Sequence, residues 1–318
     1  MSLSAPTVTV GFDIGGTNMR AAVVAESGKI LDTQSIPTPR TQSGLERGIK
    51  ELVTYFDRSY SVAGVGVAVA GFLDPECETV RFAPHLSWRN QPVRAQLEEL
   101  LQVPVILEHD ANAAAWGEYA FGGAQQHKNW VFFALGTGIG ATLMIDGEIY
   151  RGAFGTAPEF GHICVVPQGR KCACGKRGCL ERYCSGTALV ETAKELLAHT
   201  DHDSSLLQLG VDGCLTGKAI MLAAHNGDEL AQQVVADFAR WLGHALSTVV
   251  DILDPELILI GGGVSGGAEL YLDAAREYCV QNIVGSGYRP VPEISCATLG
   301  DEAGMIGVAD LARKRQLS

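Results

Sequence analysis

The sequence predicts an α/β protein of two domains. Three observations carry that expectation. Strand-like apolar runs alternate with helical periodicity along most of the chain. A strand, a Gly/Thr turn, a strand, a Gly-bearing turn and a third strand open the chain, and the order returns 122 residues later, from Asp13 to Leu135. The 318 residues, at roughly 100–200 per domain, suit two domains with ample core.

The elements follow in order. Residues 7–12 (TVTVGF) read as a buried strand, followed by the turn DIGGT. Residues 18–25 and 29–36 read as two more strands, with Glu26-Ser27-Gly28 as a hairpin turn. A helix is expected over 42–58 and a small-residue apolar strand over 62–70. Asn90 is a candidate cap for a helix with Pro92 in its first turn, running to Leu101. Residues 103–107 read as a short strand around Pro104, suited to an edge or strand start. The Ala-rich stretch 110–121 reads as a helix.

The opening pattern then repeats as strands at 130–135, 139–145 and 148–151, with Gly136-Thr137-Gly138 and Asp146-Gly147 as the turns. Residues 152–186 are Gly-rich and irregular. Helices at 187–198, 217–226 and 228–252 precede a strand at 257–260, which runs into Gly261-Gly262-Gly263. A helix at 269–283, a strand at 292–297 and a helix at 302–313 finish the chain.

Charge narrows the partners. Lys+Arg 24 against Asp+Glu 36 leaves −12, which argues against nucleic acid. An anionic ligand must then be held locally, by backbone amides or a metal. No apolar run reaches the roughly 18 residues that a membrane helix needs. The N-terminus lacks the basic and apolar regions of a signal peptide, so a cytoplasmic protein without a membrane partner is expected. The nine Cys are odd in number, and three fall within eight residues. One metal cluster plus buried thiols explains that better than a disulfide framework.

Five motifs carry chemistry. In Asp13-Ile14-Gly15-Gly16-Thr17-Asn18 a strand enters a Gly/Thr hairpin, where bare amides can meet phosphate oxygens. Asp13 could hold a hydrated Mg²⁺ that bridges phosphates. Gly136-Thr137-Gly138 offers the same chemistry in the second half, so one nucleotide clamped between two domains is the simplest picture. Each hairpin alone could be an ordinary turn.

Glu108-His109-Asp110-Ala111-Asn112 puts Asp110 where a strand meets a helix, as the helix cap and as a candidate general base. His162, Cys172, Cys174 and Cys179 form a Cys₃His set suited to tetrahedral Zn²⁺. Four protein ligands leave the metal no open position, so it reads as structural. The second ring nitrogen of His162 stays free to bond a ligand, with Glu159 and Glu181 fixed beside it. Finally, Gly262 and Gly263 end a buried strand and would let a flat ligand lie against the backbone.

These five elements, in this order, resemble the ROK family of sugar kinases and sugar-responsive repressors, over about residues 8 to 314. The stretches EHDANAAAWGEYAFG and YRGAFGTAPEFGH are particularly similar to its actinobacterial-type, ATP-dependent glucokinases. The resemblance implies the actin-like, ribonuclease-H-like two-domain fold, with a duplicated βββαβα core and a zinc loop at 162–181. It implies a small domain over 1–121, with the C-terminal helix 302–318 packed back on it, and a large domain over 122–301. By the same resemblance Asp13, Gly15, Gly16, Thr17, Asn18, Gly136, Thr137 and Gly138 bind ATP phosphates, and Gly262 and Gly263 lie near the adenosine. Asp110 matches the catalytic base. Glu159, His162 and Glu181 match sugar contacts, and His162, Cys172, Cys174 and Cys179 match the zinc ligands. A homodimer or homotetramer is implied as well.

Three departures stand out. His109 and His85 replace usual Asn residues, and Pro158 replaces a usual Gly. An imidazole can donate and accept once each, so sugar contacts by His85 and His109 are expected to survive. The implied activity is transfer of the ATP γ-phosphate to the 6-hydroxyl of glucose. N-acetylglucosamine, N-acetylmannosamine, mannose or fructose remain open as acceptors, and polyphosphate as donor. A sugar-sensing regulator is the remote alternative. Such regulators carry a helix-turn-helix before the first hairpin, and only twelve residues precede Asp13.

Overall fold

A computed structural model describes residues 6–199 and 204–315. Two five-stranded sheets share one topology, β3-β2-β1-β4-β8 and β11-β10-β9-β12-β13. The first sheet holds β1 (Thr7–Ile14), β2 (Asn18–Val24), β3 (Ile30–Pro37), β4 (Ser61–Val69) and β8 (Val105–His109). The second holds β9 (Trp130–Leu135), β10 (Ile139–Ile145), β11 (Glu148–Tyr150), β12 (Leu257–Gly261) and β13 (Glu293–Cys296). The duplicated order read from the sequence is therefore present.

Burial explains the strand patterns. β1 and β4 are buried nearly throughout, as strands covered on both faces should be. β3 is an edge strand, and its burial alternates residue by residue. Its hairpin closes at Gly28, whose φ of +79° suits glycine.

The described residues fall into two compact units. The first runs to His127 and takes in Thr142–Pro158 and the chain from Thr298. The second comprises Lys128–Ala141 and Glu159–Ala297. The first unit thus takes in Thr142–Pro158, within the stretch 122–301 that was expected to form the large domain.

In the first unit, α1 (Gln42–Phe56) is capped by Thr41 and buries Leu45, Ile49, Leu52 and Phe56, one face of a helix. α3 (Asp110–Phe121) packs with α9 (Ala303–Arg315), and α9 also lies on β1 and β4. Glycines permit that approach. A Cβ on Gly307 would lie 1.9 Å from the Ala113 carbonyl oxygen, and one on Gly66 would lie 2.1 Å from that of Val308. Glu118 accepts backbone N–H groups of Thr298 (2.9 Å) and Leu299 (2.7 Å), tying the entry to α9 onto α3.

In the second unit, β9, β12 and β13 run parallel. Helices α4 (Gly186–Leu197), α6 (Gly217–His225) and α7 (Glu229–Leu253) pack together, and α8 (Leu272–Asn282) packs on α7.

Several expectations need correction. α2 (Val93–Leu101) is not capped by Asn90, which lies in β7 (Arg89–Gln91) at φ +50°. Pro92 takes the cap position, with no side-chain bond. β8 runs to His109 rather than stopping at 107, because its register with β4 continues to Val69↔His109. The small sheet β5 (Phe72–Leu73), β6 (Val80–Phe82) and β7, and helix α5 (Ser205–Val211), have no counterpart in the sequence reading. Such two- and three-residue strands carry too little periodicity to show. The helix expected from 269 starts at Leu272, after a 3₁₀ segment over Gly263–Leu270.

Candidate active site

In the first unit, β1 delivers Asp13 to the mouth of the first hairpin. The turn closes through Gly15 N–H to Asn18 O at 3.0 Å, and the Thr38 hydroxyl donates to Gly15 O at 2.7 Å. Gly16, Thr17 and Asn18 are exposed. Gly16 lies flat against His85: a Cβ there would sit 2.9 Å from His85 Cβ. Asp13 Oδ2 accepts from Arg20 Nη2 at 2.6 Å, the residue directly opposite it in the β1–β2 register.

Asp110 is the first residue of α3, and His109 is the cap residue. This corrects the expectation that Asp110 caps the helix. β8 stays extended through His109, so the helix begins one residue later. Asp110 Oδ1 accepts the Ala111 N–H at 2.8 Å and lies 3.2 Å from His109 Nε2. Its carboxylate is 45 % exposed, so it can meet a ligand.

Glu108 lies beneath this junction, 1 % exposed. It is ion-paired with Arg151, and its Oε1 accepts from His109 N–H (3.0 Å) and Asn112 Nδ2 (2.9 Å). Against the cost of burial, the Glu108 charge holds the Arg151 pKa above its ordinary value. Burial and then the Glu108 charge push the nearby Cys77 thiol up to about 12. Glu108 has no role among the residues expected from the sequence. The available signal is a carboxylate that directly follows the apolar run Val105-Ile106-Leu107.

In the second unit, the donor atoms of His162, Cys172, Cys174 and Cys179 all lie within 4.8 Å of one another. Cys174 and Cys179 sulfurs are 3.6 Å apart, and Cys172 Sγ is 3.7 Å from His162 Nδ1. Tetrahedral zinc with Zn–S near 2.3 Å requires sulfur separations of about 3.8 Å, so this set fits the ion. Gly178 (φ +73°) makes the bend possible, since a Cβ would lie 1.7 Å from Val166 O. With Nδ1 turned to the thiols, His162 Nε2 faces Glu159 Oε2 at 3.8 Å.

Glu181 joins this loop to the second hairpin. Its Oε2 accepts the Ile139 N–H at 3.0 Å and packs on Gly138. That hairpin closes through Gly136 N–H to Gly138 O at 3.0 Å, a counterpart of the first.

A cavity of about 1120 Å³ opens in the second unit. Gly136, Thr137 and Gly263 line it, with Val264, Met221 and Leu222 among its apolar walls. Gly262 is not in the lining; its φ of +82° turns the chain against Leu135. Thr187, whose hydroxyl donates to Thr137 O at 2.7 Å, and Lys218 also line the cavity, and the sequence reading passed over both. Both stand in the first turn of helices far apart in sequence from the hairpin.

The chain belongs to the ROK family, whose model matches residues 9–315. Within that family it is similar to a glucokinase of Streptomyces coelicolor, 41 % identical over 310 residues, covering 96 % of this chain and 98 % of that protein. It is also similar to the crystal structure of a ROK glucokinase from Streptomyces griseus in complex with glucose and AMPPNP. The TM-score is 0.85 and the identity 42 %, covering 96 % of this chain and 99 % of that one. A ROK hexokinase from Thermus thermophilus matches with TM-score 0.80 and 30 % identity, over 98 % and 99 % of the two chains.

Proposed function

We propose that this protein is an ATP-dependent glucokinase, transferring the γ-phosphoryl group of ATP to the 6-hydroxyl of glucose. The observation that carries the reading is the half-exposed Asp110 carboxylate at the start of α3, oriented by Ala111 N–H and His109. The similarity to the glucose and AMPPNP complex of the Streptomyces griseus enzyme supports the same donor and acceptor.

Asp110 takes the proton of the 6-hydroxyl as that oxygen attacks the γ-phosphorus in line. The exposed amides at Gly16, Thr17 and Thr137 stabilise charge on the transferring group. Asp13 would hold Mg²⁺, which neutralises the phosphate oxygens when bound. The apolar-walled cavity beside Gly263 suits an adenosine. His85, His109, Glu159, His162 and Glu181 form the sugar's polar contacts, and such sites strongly penalise a ligand that leaves them unpaired. Zinc on His162, Cys172, Cys174 and Cys179 would fix the loop that carries the second imidazole nitrogen of His162.

The test is the initial rate of ADP formation with Mg-ATP over glucose, mannose, fructose, N-acetylglucosamine and N-acetylmannosamine. A kcat/KM for glucose well above the rest is expected. A preference for an N-acetyl sugar would move the assignment to another acceptor and identify His85 and His109 as the specificity change.

A homodimer or homotetramer belongs to this proposal, checked by light scattering. The exposed Ile252, Val284 and Tyr288 support it. A cytoplasmic location is part of it too. All nine cysteines are free thiols, and no described helix is long and apolar enough to cross a membrane.

A further inference from the structure

A carboxylate buried in a strand is costly unless paired and hydrogen-bonded, and an apolar side chain commonly serves stability as well. The strand that leads into Glu108 is apolar, with Val105 and Leu107 fully buried. Its bonds converge on the residues that flank Asp110. Oε1 takes the His109 N–H on one side and Asn112 Nδ2 on the other. Oε2 takes the Arg151 guanidinium. Asn112 in turn accepts from the Thr142 hydroxyl at 3.0 Å.

Arg151 is anchored as well. It opens a loop closed by Ala157 N–H to Arg151 O at 3.1 Å, and Arg81 donates to Phe154 O within that loop at 3.3 Å. Along the chain this loop leads directly into Glu159.

We propose that Glu108 and Arg151 are a positioning pair for phosphoryl transfer, holding the backbone on both sides of Asp110 against the Arg151–Ala157 loop. The proposal rests on the reading of Asp110 as the base. Glu108 touches neither substrate nor the Asp110 carboxylate. Its charge acts by keeping the strand-to-helix junction in one geometry, and a misplacement of about 1 Å at a reacting group costs on the order of 100-fold in rate.

The test compares Glu108→Gln, Arg151→Lys and Arg151→Met with the native enzyme. Circular dichroism and zinc content check that each is folded. Glu108→Gln keeps the shape and an acceptor oxygen but leaves the half-buried Arg151 without its counter-charge. It should lower kcat about 10- to 100-fold while KM for ATP stays within about 2-fold. Arg151→Lys should recover part of what Arg151→Met loses. Because the pair acts through Asp110, adding Glu108→Gln to Asp110→Asn should lower kcat no further.

A folded Glu108→Gln enzyme with native kcat, beside an inactive Asp110→Asn, overturns the positioning role alone. An Asp110→Asn enzyme with native kcat overturns the base itself. Additive losses in the double variant also overturn the proposal, because they mean that Glu108 acts elsewhere. If Glu108→Gln does not fold, Asn112→Ala removes the helix-side anchor together with its bond from Thr142. It should show the same selective loss of kcat, and a folded Asn112→Ala enzyme with native kcat overturns the pair.

Discussion

Arg20 reaches across the first hairpin and places Nη2 2.6 Å from Asp13 Oδ2, while the same nitrogen donates to Asp301 O at 2.9 Å. The carboxylate proposed to hold Mg²⁺ therefore already has a cationic partner. Both side chains are about one-third exposed, so solvent screens the pair and its net strength is modest. Arg20→Met should lower the free Mg²⁺ needed for half-maximal rate by about 2- to 10-fold, an effect of about 1 kcal/mol. A titration of rate against free Mg²⁺ at fixed ATP measures this. An unchanged midpoint would mean that Arg20 does not compete with the metal.

Asp110→Asn keeps the size of the side chain and its bond to Ala111 N–H but removes the proton acceptor. General-base removal typically costs 10²- to 10⁴-fold, so kcat should fall by about that much. Glucose affinity, read by calorimetry, should stay within a few-fold. A near-native kcat would sink the assignment.

Cys174→Ser breaks the sulfur cluster in which Cys174 and Cys179 lie 3.6 Å apart. Zinc content and Tm should fall together, because the bends at Gly175 and Gly178 are held by the ligands around them. Metal analysis and a thermal melt on the same sample decide the matter. A metal-free variant with native Tm and native activity refutes the structural role.

The Cys77 thiol is pushed up to about 12, first by burial and then by the Glu108 charge. At pH 8 its thiolate fraction is then about 1 in 10⁴, so alkylation by iodoacetamide should be far slower than at the exposed Cys214. The folded state holds this proton more tightly than the unfolded one, so its contribution is intact below about pH 9 and is lost as pH rises towards 12. Peptide mapping after timed alkylation reports the rates; equal labelling of Cys77 and Cys214 would contradict the buried setting.

Gly307→Ala would drive a methyl group to 1.9 Å from the Ala113 carbonyl oxygen, where α9 meets α3. Backbone must move to relieve it, so a loss of about 1–3 kcal/mol is expected. Chemical denaturation should show a lower midpoint, and the helix that carries Asp110 should lose kcat with it. Gly304→Ala, one turn earlier with open space around its Cβ, is the control.

Much of the chemistry was legible in the sequence because it is local. The two Gly/Thr hairpins, the strand order around them and the Cys₃His spacing are short-range patterns, set by backbone freedom at glycine and by the reach of side chains a few residues apart. The strand read over 29–36 is β3, and the small-residue apolar strand read over 62–70 is β4. The same local reasoning misjudged the start of α3. Asp110 looked like a cap from its neighbours, but the β4–β8 register carries the strand through His109 and makes that residue the cap.

What tertiary structure alone decided lies at long range. The pairing of Glu108 with Arg151 spans 43 positions, and the bond from Thr187 to the second hairpin spans 50. The hold of Glu118 on the entry to α9 spans 180. No periodicity or spacing encodes such contacts, because each depends on where two separate elements dock. The sequence by itself determined where the glycine hairpins, the Cys₃His set and the carboxylate at the strand-to-helix junction lie along the chain. Docking determined that Glu181 turns its carboxylate onto Ile139 N–H, that Thr187 lines the cavity beside Gly263, and that the Glu108–Arg151 ion pair stands behind Asp110. The physical reason is that backbone conformation and ligand reach are set within a few residues, whereas burial and charge pairing are settled only when distant surfaces close on each other.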